Sequence, residues 1–344
     1  MQALQLTHNK TLEWVEVPFP DLETNSDVLV RMKSVGICGS DIHYYKHGRI
    51  GSQVVQYPLV LGHEGSGTVV DVGRDVTRFH PGDRVAIDPA MPCFDCDQCR
   101  SGRPHTCIHL KFLGMPGQAE GCLSECIVIP ETSLYRLPGE LDYDAGALSE
   151  PLSIGYYAIQ QARQSKPDGI GILGYGPIGM SVLRAAQHAG TKHIFVTDKI
   201  EQRLRIATQA GATWCGNPLS ADIVDEIHKS HPQLLDIVYE CCGDQEAVDQ
   251  AVAILKPGGI LMIIGIPECQ RWSFNVDALR HKEITIVNVR RQNHCIQDVL
   301  DLMATGNLDY KDMITHRFPA SDAHEAFNMV AGYLDGVMKA IIQF

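Results

Sequence analysis

A glycine-rich turn in the second half of the chain constrains its fold more than any other feature. Gly174, Gly176 and Gly179 form the pattern G-x-G-x-x-G, which follows the apolar run IGIL and precedes the helical pattern PIGMSVLRAAQH. The first glycine permits a tight turn, the second lets the backbone approach a pyrophosphate, and the third lets helix and strand pack closely. The pattern therefore predicts a strand, a phosphate-binding turn and a helix that together hold a dinucleotide.

The sequence around this turn divides into two rhythms. From about residue 169, the strand patterns HIFVTD, DIVYECCG and ILMIIG alternate with the helical patterns EQRLRIATQAGA and QEAVDQAVAILKPGG, which predicts a parallel sheet with crossover helices. Residues 1 to about 150 instead show short strand patterns separated by glycine and proline, such as LEWVEV, DVLVRMKSV, SGTVVDV, DRVAID and CLSECIVI. This first part is predicted to be all-β, as a distorted barrel.

Asp198 ends the strand pattern that follows the glycine turn. The separation between the glycine turn and Asp198 is about the one expected for an acidic residue that binds the ribose. The Asp198 carboxylate can accept hydrogen bonds from both ribose hydroxyls and would repel a 2′-phosphate, so NAD is favoured over NADP. Two readings stay open: Asp198 is an ordinary turn residue at a strand end, or Lys199 and Arg203 soften the exclusion of NADP. The residues assigned to the dinucleotide site are Gly174, Gly176, Pro177, Ile178, Gly179, Asp198 and Arg203.

Four cysteines form a compact cluster in the first half of the chain. Cys93, Cys96, Cys99 and Cys107 follow the pattern C-x2-C-x2-C-x7-C within fifteen residues, in a stretch too polar to form a core. Four thiolates can surround one tetrahedral zinc, and a site closed in this way is structural. The alternative is a pair of disulfides, which the absence of a secretory signal disfavours.

A second set of metal-ligand residues is scattered along the sequence. Cys38, His63, Glu64 and Glu150 include one sulfur, one nitrogen and two carboxylate donors, the mixture that leaves a zinc position open for a substrate. These residues are far apart in the sequence, so their spacing alone does not show that they form one site. Cys38 could instead be a core residue, His63 a turn residue and Glu150 a solvated residue at a helix start. His63 and Glu64 can share a metal only if the backbone is irregular there, which the flanking glycines permit.

Charge and hydropathy narrow the possible partners. The net charge of −12 and the pI of about 5.6 argue against nucleic acid or an anionic membrane surface as the main partner. The sequence has no apolar run near the length of a membrane span and no basic start followed by an apolar stretch. We therefore expect a cytoplasmic protein.

The stretch GHEGSGTVVDVGRDV at 62–76 fits the zinc signature G-H-E-x2-G-x5-G-x2-V of the zinc-containing medium-chain dehydrogenase/reductase superfamily. Over essentially the whole chain, the sequence most resembles the sorbitol (polyol) dehydrogenase branch. The motifs that carry this resemblance are CGSDIHYY (38–45), GRIG (48–51), LSEPLS (148–153), GYGPIGM (174–180), VTD (196–198) and THRFP (315–319). The resemblance implies an α/β protein with a GroES-like β-barrel catalytic domain, 1–152 and 288–344, and a Rossmann doubly wound parallel-sheet domain, 153–287.

The resemblance also implies roles for individual residues. Cys38, His63 and Glu64 would bind the catalytic zinc, with Glu150 as a further ligand, either directly or through the zinc-bound water. Ser40 and His43 match the positions of the proton relay, and Tyr44 matches a position that lines the polyol site. The four clustered cysteines match the lobe that holds the structural zinc.

Arg290-Arg291-Gln292-Asn293 departs from the family pattern, which places an aromatic residue after the first arginine. Arg290 is retained and is expected to contact the substrate tail. Two guanidinium groups there could bind a phosphate or a carboxylate. The alternative is that Arg291 points to solvent or to a partner subunit.

Together these features predict an NAD-linked, zinc-dependent polyol 2-dehydrogenase that converts a sorbitol- or xylitol-like secondary alcohol to a ketose, reversibly, by hydride transfer. Zinc would lower the pKa of the alcohol, and the proton would leave through Ser40, the cofactor ribose and His43. Alternatives are a dehydrogenase of a sugar phosphate, a sugar acid, threonine, a simple alcohol or an aldose, and a non-catalytic protein that binds zinc and NAD. The resemblance suggests a homotetramer or a homodimer.

Overall fold

The structure is a computed structural model that describes residues 1–162 and 167–344. The described chain forms two compact units, Met1–Glu150 with Ile296–Phe344, and Pro151–Cys295. The domain boundaries expected from the resemblance, at 152/153 and 287/288, stay a prediction.

Secondary structure follows the chain in three stretches. The first contains β1 Gln2–His8, β2 Thr11–Glu16, β3 Asp27–Gly36, α1 Gly39–His47, β4 Arg49–Ile50, β5 Gln53–Val54, β6 Leu59–Val60, β7 Glu64–Val72, β8 Arg84–Ile87, β9 Ala90–Met91, α2 Asp97–Arg100, β10 Lys111–Phe112, β11 Cys126–Pro130, β12 Leu134–Arg136 and α3 Tyr143–Gln161. The second contains β13 Gly169–Leu173, α4 Pro177–His188, β14 His193–Thr197, α5 Glu201–Gln209, β15 Trp214–Gly216, α6 Ile223–Ser230, β16 Leu235–Glu240, α7 Gln245–Ile254, β17 Leu255–Ile263, α8 Val276–Lys282 and β18 Thr285–Asn288. The third contains α9 Ile296–Ala304, β19 Ile314–Pro319, α10 Ala323–Ala331 and β20 Lys339–Gln343.

The first unit is built on a seven-stranded sheet in which the end of the chain joins its beginning. The strand order is β12-β8-β7-β3-β20-β19, and β11 pairs with β3 away from this path. Strand β20 runs antiparallel to β3, with Ile341 opposite Gly36, and it also pairs with β19. The core under this sheet includes Val30, Met32 and Ile87, each fully buried.

Helix α1 interrupts a region whose strand patterns predicted only β-structure, and this part of the prediction is wrong. Asp41 accepts a hydrogen bond from the Cys38 backbone N–H at 2.9 Å, which satisfies a donor at the helix start. Lys46 and His47 lie in the last turn, and Gly48 ends the helix with φ 65°. Short helices stabilised by such end effects carry little apolar periodicity and are hard to see in a sequence.

The second unit is a six-stranded parallel sheet with the order β15-β14-β13-β16-β17-β18. Numbered from β13, this order is 3-2-1-4-5-6, the doubly wound arrangement that binds dinucleotides where the order reverses. Its core includes Leu173, Phe195, Val238 and Leu261. The predicted alternation of strands and helices is confirmed in this unit.

One boundary in this unit differs from the prediction, because Leu255–Gly259 belongs to β17 rather than to the preceding helix. Leu255 pairs with Leu235, and the strand is irregular before Ile260 pairs with Ile237. The Lys282 ammonium donates to the carbonyls of Val252, Ala253 and Leu255 at 2.7–2.9 Å, which satisfies acceptors at the end of α7.

None of the helices in the described ranges is both long enough and apolar enough to cross a membrane.

Candidate active site

Three of the scattered ligand residues come together in the first unit. Cys38 lies immediately before α1, His63 precedes β7, and Glu64 is the first residue of that strand. One donor atom from each residue lies within 4.8 Å of the others. The irregular backbone required for His63 and Glu64 to share a metal is present, since Gly62 has φ 91° and the strand begins only at Glu64.

Asp41 orients His63 and was not predicted as a site residue. The Asp41 Oδ1 lies 3.4 Å from His63 Nδ1 and accepts from the Gly62 N–H at 3.1 Å. Both side chains are buried. A carboxylate on Nδ1 leaves Nε2 to face a metal, the usual arrangement of a ligating histidine. The sequence feature that could have indicated this role is the position of Asp41, three residues after Cys38 in the motif CGSD.

The pKa of His63 depends on its contacts with Asp41 and Cys38. Burial lowers the pKa of His63, but the charges of Asp41 and Cys38 outweigh it, so that the pKa is raised well above 6.5 without a metal. The pKa of Asp41 is lowered although burial opposes this, because His63 and the N–H groups of Cys38 and Gly62 stabilise its charge.

Glu150 is buried on α3, with 4% of its surface exposed, so the alternative of a solvated residue is wrong. Its pKa is raised to about 7, mainly because burial disfavours the charged form; the charges of Glu64 and Asp88 also raise it, and the charge of His63 opposes them. These influences place Glu150 in the electrostatic environment of His63 and Glu64. Whether it binds zinc stays a prediction.

Lys339, on β20, is a buried cation that sequence reasoning missed. Its ammonium donates to Glu64 Oε1 at 2.7 Å, to Glu64 Oε2 at 2.6 Å and to the Ile37 carbonyl at 3.1 Å. Burial lowers the pKa of Lys339, but the charges of Glu64 and Cys38 raise it more. The sequence feature that could have indicated this contact is a lysine within the apolar run VMKAII, because a buried charge requires a partner.

Helix α1 also carries the predicted proton-relay and substrate residues. Ser40 and His43 are partly exposed, whereas Tyr44 is buried and donates from its hydroxyl to Gln53 Oε1 at 3.1 Å. All three positions follow Cys38 within two helical turns. Their catalytic roles stay predictions.

The donor set around Cys38 fits a zinc ion. A thiolate, an imidazole nitrogen and a carboxylate oxygen are the donors that zinc takes in catalytic sites, and three protein ligands leave a fourth position for a small molecule. The three groups lie close enough to reach one ion, and Asp41 supplies the outer carboxylate that such histidines use.

The four-cysteine cluster fits a second zinc. The Sγ atoms of Cys96 and Cys99 are 3.5 Å apart, those of Cys93 and Cys107 are 3.5 Å apart, and those of Cys96 and Cys107 are 3.8 Å apart. Thiolates about 2.3 Å from a tetrahedral zinc lie about 3.8 Å from one another. All four cysteines are free thiols, so the alternative of two disulfides does not hold in this structure.

The glycine turn has the geometry that its pattern predicts. Gly174 has φ 95°, and a Cβ on Gly179 would lie 2.1 Å from the Gly174 carbonyl oxygen. A Cβ on Gly176 would meet only Arg203 Nη1, at 3.5 Å. Gly176 is therefore not required by packing within the protein, and the absence of its side chain leaves room for a ligand at the start of α4.

Asp198 lies beside this turn with both carboxylate oxygens in use. Oδ2 accepts from the Tyr175 N–H at 2.7 Å, Oδ1 accepts from the Ile200 N–H at 2.8 Å, and Arg203 Nη1 lies 3.8 Å from Oδ2. Asp198 thus stabilises the turns around the end of β14 through its carboxylate. Because a carboxylate oxygen can accept two hydrogen bonds, each Asp198 oxygen can still accept from a ribose hydroxyl. Pro177 and Ile178 form the first turn of α4.

Comparison with known proteins decides the family. Residues 24–139 match the alcohol dehydrogenase GroES-like domain family, and residues 177–305 match the zinc-binding dehydrogenase family. Sorbitol dehydrogenase of Bacillus subtilis (strain 168) is 32% identical over 99% of this chain and 97% of its own length. The chain belongs to the zinc-containing medium-chain dehydrogenase/reductase superfamily, in its sorbitol dehydrogenase branch.

Two further similarities are informative about this dehydrogenase. L-idonate 5-dehydrogenase of Vitis vinifera is 33% identical over 89% of this chain and 85% of its own length. A solved structure from Escherichia coli, described as an oxidoreductase/dehydrogenase of unknown specificity involved in membrane biogenesis, has a TM-score of 0.91 at 32% identity, covering 99% of this chain and 98% of that one. The predicted fold class, a GroES-like domain plus a Rossmann domain, and the prediction of an enzyme are confirmed. Zinc and a nicotinamide dinucleotide are the cofactors of this superfamily.

The arginine pair of this dehydrogenase follows β18. Arg290 is exposed, whereas both terminal nitrogens of the Arg291 guanidinium are buried, and the Arg291 backbone has φ 53°. The alternative that Arg291 points to solvent is therefore wrong. Contact of either arginine with a substrate stays a prediction.

Proposed function

We propose that this dehydrogenase oxidises a polyol at its second carbon to a ketose with NAD, and that it catalyses the reverse reaction. The secondary alcohol and NAD+ give the ketone, NADH and one proton. The observation that supports this most strongly is the cluster of a half-buried Cys38 with buried His63 and Glu64, in a chain 32% identical to a sorbitol dehydrogenase.

When bound, zinc would act as a Lewis acid and the nicotinamide would accept the hydride. The protein's own residues bind, orient and move the proton. Cys38, His63 and Glu64 hold the metal. Asp41 fixes the imidazole of His63 through Nδ1. Ser40 and His43 carry the proton of the substrate hydroxyl away from the site, and Glu150 helps to position the reacting alcohol.

We propose that Asp198 gives the preference for NAD. Asp198→Asn keeps the shape of the side chain but removes the negative charge that repels a 2′-phosphate, so the NAD/NADP ratio of kcat/KM should fall. Asp277→Asn, at an exposed carboxylate of the same unit, is the matched control and should leave the ratio unchanged. Equal use of NAD and NADP by the unaltered enzyme would refute this role.

A substrate panel tests the main proposal. Purified enzyme with zinc is assayed for NAD and NADP reduction on hexitols, pentitols, their phosphates, aldonates, threonine and a simple secondary alcohol. We expect the highest kcat/KM on a neutral polyol, with a ketose as product. Turnover confined to threonine or simple alcohols contradicts the polyol proposal, and absence of turnover on every alcohol, with zinc bound, contradicts the enzyme's proposed chemistry as a whole.

A sugar acid is the second candidate substrate, because of Arg291 and the similarity to an L-idonate 5-dehydrogenase. A guanidinium can bind a carboxylate through two parallel hydrogen bonds. If the substrate is an aldonate, Arg291→Ala should lower kcat/KM by about one to two decades, with the loss mainly in KM. Arg280→Ala, at an exposed arginine of the same unit, is the control. On a neutral polyol, Arg291→Ala should change little.

Arg290 is proposed to contact hydroxyls beyond the reacting carbon. Arg290→Ala should then lower kcat/KM for polyols by about one to two decades and spare a simple secondary alcohol that lacks distal hydroxyls. Equal loss on every substrate would assign the arginine to the fold or to cofactor binding.

We also propose that the enzyme is a homotetramer or a homodimer, in line with the family resemblance. Light scattering coupled to size-exclusion chromatography measures the mass directly, and a monomer across the micromolar range would contradict this.

A further inference from the structure

Two cations accompany Asp198 at the end of β14, and each of them is paired with a carboxylate. Lys199 directly follows Asp198 in the sequence, and Arg203 Nη1 lies 3.8 Å from Asp198 Oδ2. A basic side chain at this place in the fold is the kind of group that accommodates the 2′-phosphate of NADP. The positive charge that would oppose a preference for NAD is therefore present next to the residue proposed to give that preference.

The partners of Lys199 come from a different part of the sheet. The Lys199 ammonium donates to Asp244 Oδ2 at 2.7 Å and lies 3.9 Å from Glu246 Oε2. Asp244 ends the loop after β16, 45 residues from Lys199, and Glu246 lies in the first turn of α7. The hydrogen bond between Lys199 and Asp244 raises the pKa of the lysine and lowers the pKa of the aspartate. Lys199 is therefore a charged group with two acidic neighbours from outside its own loop.

The two loops joined by this ion pair border the glycine turn on either side. Strand β13, which precedes the turn, lies between β14 and β16 in the sheet. The loop after β14 contacts the turn through Asp198 Oδ2, which accepts from the Tyr175 N–H at 2.7 Å. On the other side, a Cβ on Gly174 would lie 2.7 Å from the Cβ of Cys242. Asp244 therefore lies at the same edge of the sheet as the proposed ribose site, although it belongs to another loop.

The formal charges show what a 2′-phosphate would meet at this edge. Three carboxylates and two cations sum to −1, and they belong to Asp198, Asp244, Glu246, Lys199 and Arg203. A phosphate monoester adds a further charge of about −2 near neutral pH. To bind Lys199, the phosphate has to compete with two carboxylates that also repel it. Without the two acids from the α7 side, the same sum would be +1.

We infer that Asp244 and Glu246 are specificity-determining residues that neutralise Lys199 beside the ribose site and so reinforce the preference for NAD over NADP. This inference rests on the proposed use of NAD and the proposed role of Asp198. Both acids act through the lysine and need not touch the dinucleotide. Discrimination between the cofactors then depends on the loop after β16 as well as on the end of β14.

The decisive experiment uses a double variant, Asp244→Asn with Glu246→Gln, which removes both charges and keeps both side-chain shapes. Asp244 Oδ1 also accepts from the Glu246 N–H at 3.1 Å and caps α7, and asparagine caps a helix as well as aspartate does. The probes are 5′-AMP and 2′,5′-ADP, which differ only in the 2′-phosphate, and their Kd values are measured by displacement of fluorescent NADH.

We expect the Kd of 2′,5′-ADP relative to that of 5′-AMP to fall about tenfold in the double variant. An exposed ion pair is weak by itself, but the repulsion between the two carboxylates and the phosphate disappears with it. The NADP/NAD ratio of kcat/KM should rise by a similar factor. Adding Lys199→Met to the double variant should abolish the gain, because the cation that binds the phosphate is then missing.

The matched control is Asp222→Asn with Asp225→Asn. Asp222 Oδ1 accepts from the Asp225 N–H at 3.0 Å and caps α6, and Asp225 binds Lys229 at 2.7 Å. The control therefore removes the same charge from the same unit, keeps a helix cap and releases a different lysine. Its Kd ratio for the two probes should equal that of the unaltered protein.

Three results would overturn the inference while leaving the proposed function intact: an unchanged Kd ratio in the double variant, a gain that persists without Lys199, or an equal gain in the control. A purified, zinc-loaded protein that binds neither NADH nor 5′-AMP would instead contradict the proposed function itself.

Discussion

At the scale of single residues, the active site is organised by charges that are buried in pairs. Asp41 contacts His63 and two backbone N–H groups, and Lys339 contacts Glu64. A buried charge without a partner is costly, so each of these groups fixes the position of the other. The outer residues therefore determine where the donor atoms of the candidate ligands lie.

The first prediction concerns His63 and Asp41. His63→Ala should remove one zinc per chain and nearly all turnover, because a ligand is lost. Asp41→Asn should weaken zinc binding by about 10- to 100-fold, because the imidazole loses its orienting acceptor. Metal analysis and chelator competition measure both. Asp83→Asn, at a carboxylate paired with Arg136 on the surface, is the control, and full zinc content in His63→Ala would refute the ligand assignment.

The second prediction concerns pH. Without metal, the pKa of His63 is raised well above 6.5, so below that raised pKa the imidazole carries a proton that zinc must displace. Zinc affinity should therefore fall steadily as the pH is lowered from about 8 to about 6, with proton release on binding. Calorimetry in buffers of different ionisation enthalpy measures the released protons. An affinity independent of pH over this range would show that His63 does not bind the metal.

The sequence was sufficient to name Cys38, His63 and Glu64, because the superfamily signature includes His63-Glu64 and the CGSD motif includes Cys38. It was not sufficient to name Asp41 or Lys339. Asp41 is a charged residue in a region predicted to be β-structure, and its contact with His63 depends on a turn some twenty residues later. Lys339 reaches Glu64 across 275 residues of sequence, a distance that no local pattern spans.

At the scale of elements, the six residues of the glycine turn contain glycines with two different purposes, packing of the protein and binding of a ligand. Gly179 is required by the protein itself, whereas Gly176 faces open space apart from Arg203. The same motif therefore contains one glycine that serves helix–strand packing and another that serves the cofactor.

The third prediction compares these two glycines. Gly179→Ala should lower the free energy of unfolding by about 1–3 kcal/mol or more, since its methyl group would overlap the Gly174 carbonyl. Gly176→Ala should leave stability unchanged but raise the Kd for NADH about tenfold, because the methyl group occupies space meant for the pyrophosphate. Thermal melts and NADH fluorescence titration separate the two effects. Unchanged NADH binding in Gly176→Ala would place the pyrophosphate elsewhere.

The fourth prediction concerns the four-cysteine lobe. Cys96→Ser should release one zinc and destabilise the protein, because structural zinc contributes several kcal/mol or more to folding, about 10–16 kcal/mol in small zinc domains. Cys215→Ser, at a half-buried thiol outside the metal clusters, is the matched control and should keep both zincs. Zinc content and the midpoint of thermal unfolding decide. A Cys96→Ser protein with two zincs and unchanged stability would argue against a structural site.

Element types were predicted best where one periodicity runs for many residues. The strands and helices of the second unit follow each other as the apolar patterns indicate, and the error at Leu255–Gly259 arose because a proline and two glycines look like a helix stop. In the first unit, α1 and the first part of α3 were missed because their apolar residues do not form one clear stripe.

At the scale of the whole molecule, the first unit is assembled from the two ends of the chain. Strand β20 lies between β3 and β19, and Ile341 and Ile342 are fully buried. Lys339, which pairs with Glu64, lies on the same strand. The second unit, by contrast, contains all six strands of its sheet in one continuous stretch.

The fifth prediction follows from this asymmetry. A fragment of residues 151–295 should fold alone and bind NADH, because its sheet and core are complete. A fragment of residues 1–150 should not fold, because β3 loses a neighbouring strand, apolar core residues are missing, and Glu64 is left buried without its cation, a defect that costs about 3–5 kcal/mol in itself. Supplying residues 296–344 in trans should recover circular dichroism and zinc binding. A stable, zinc-binding 1–150 fragment would show that the C-terminal strands are not required for the metal site.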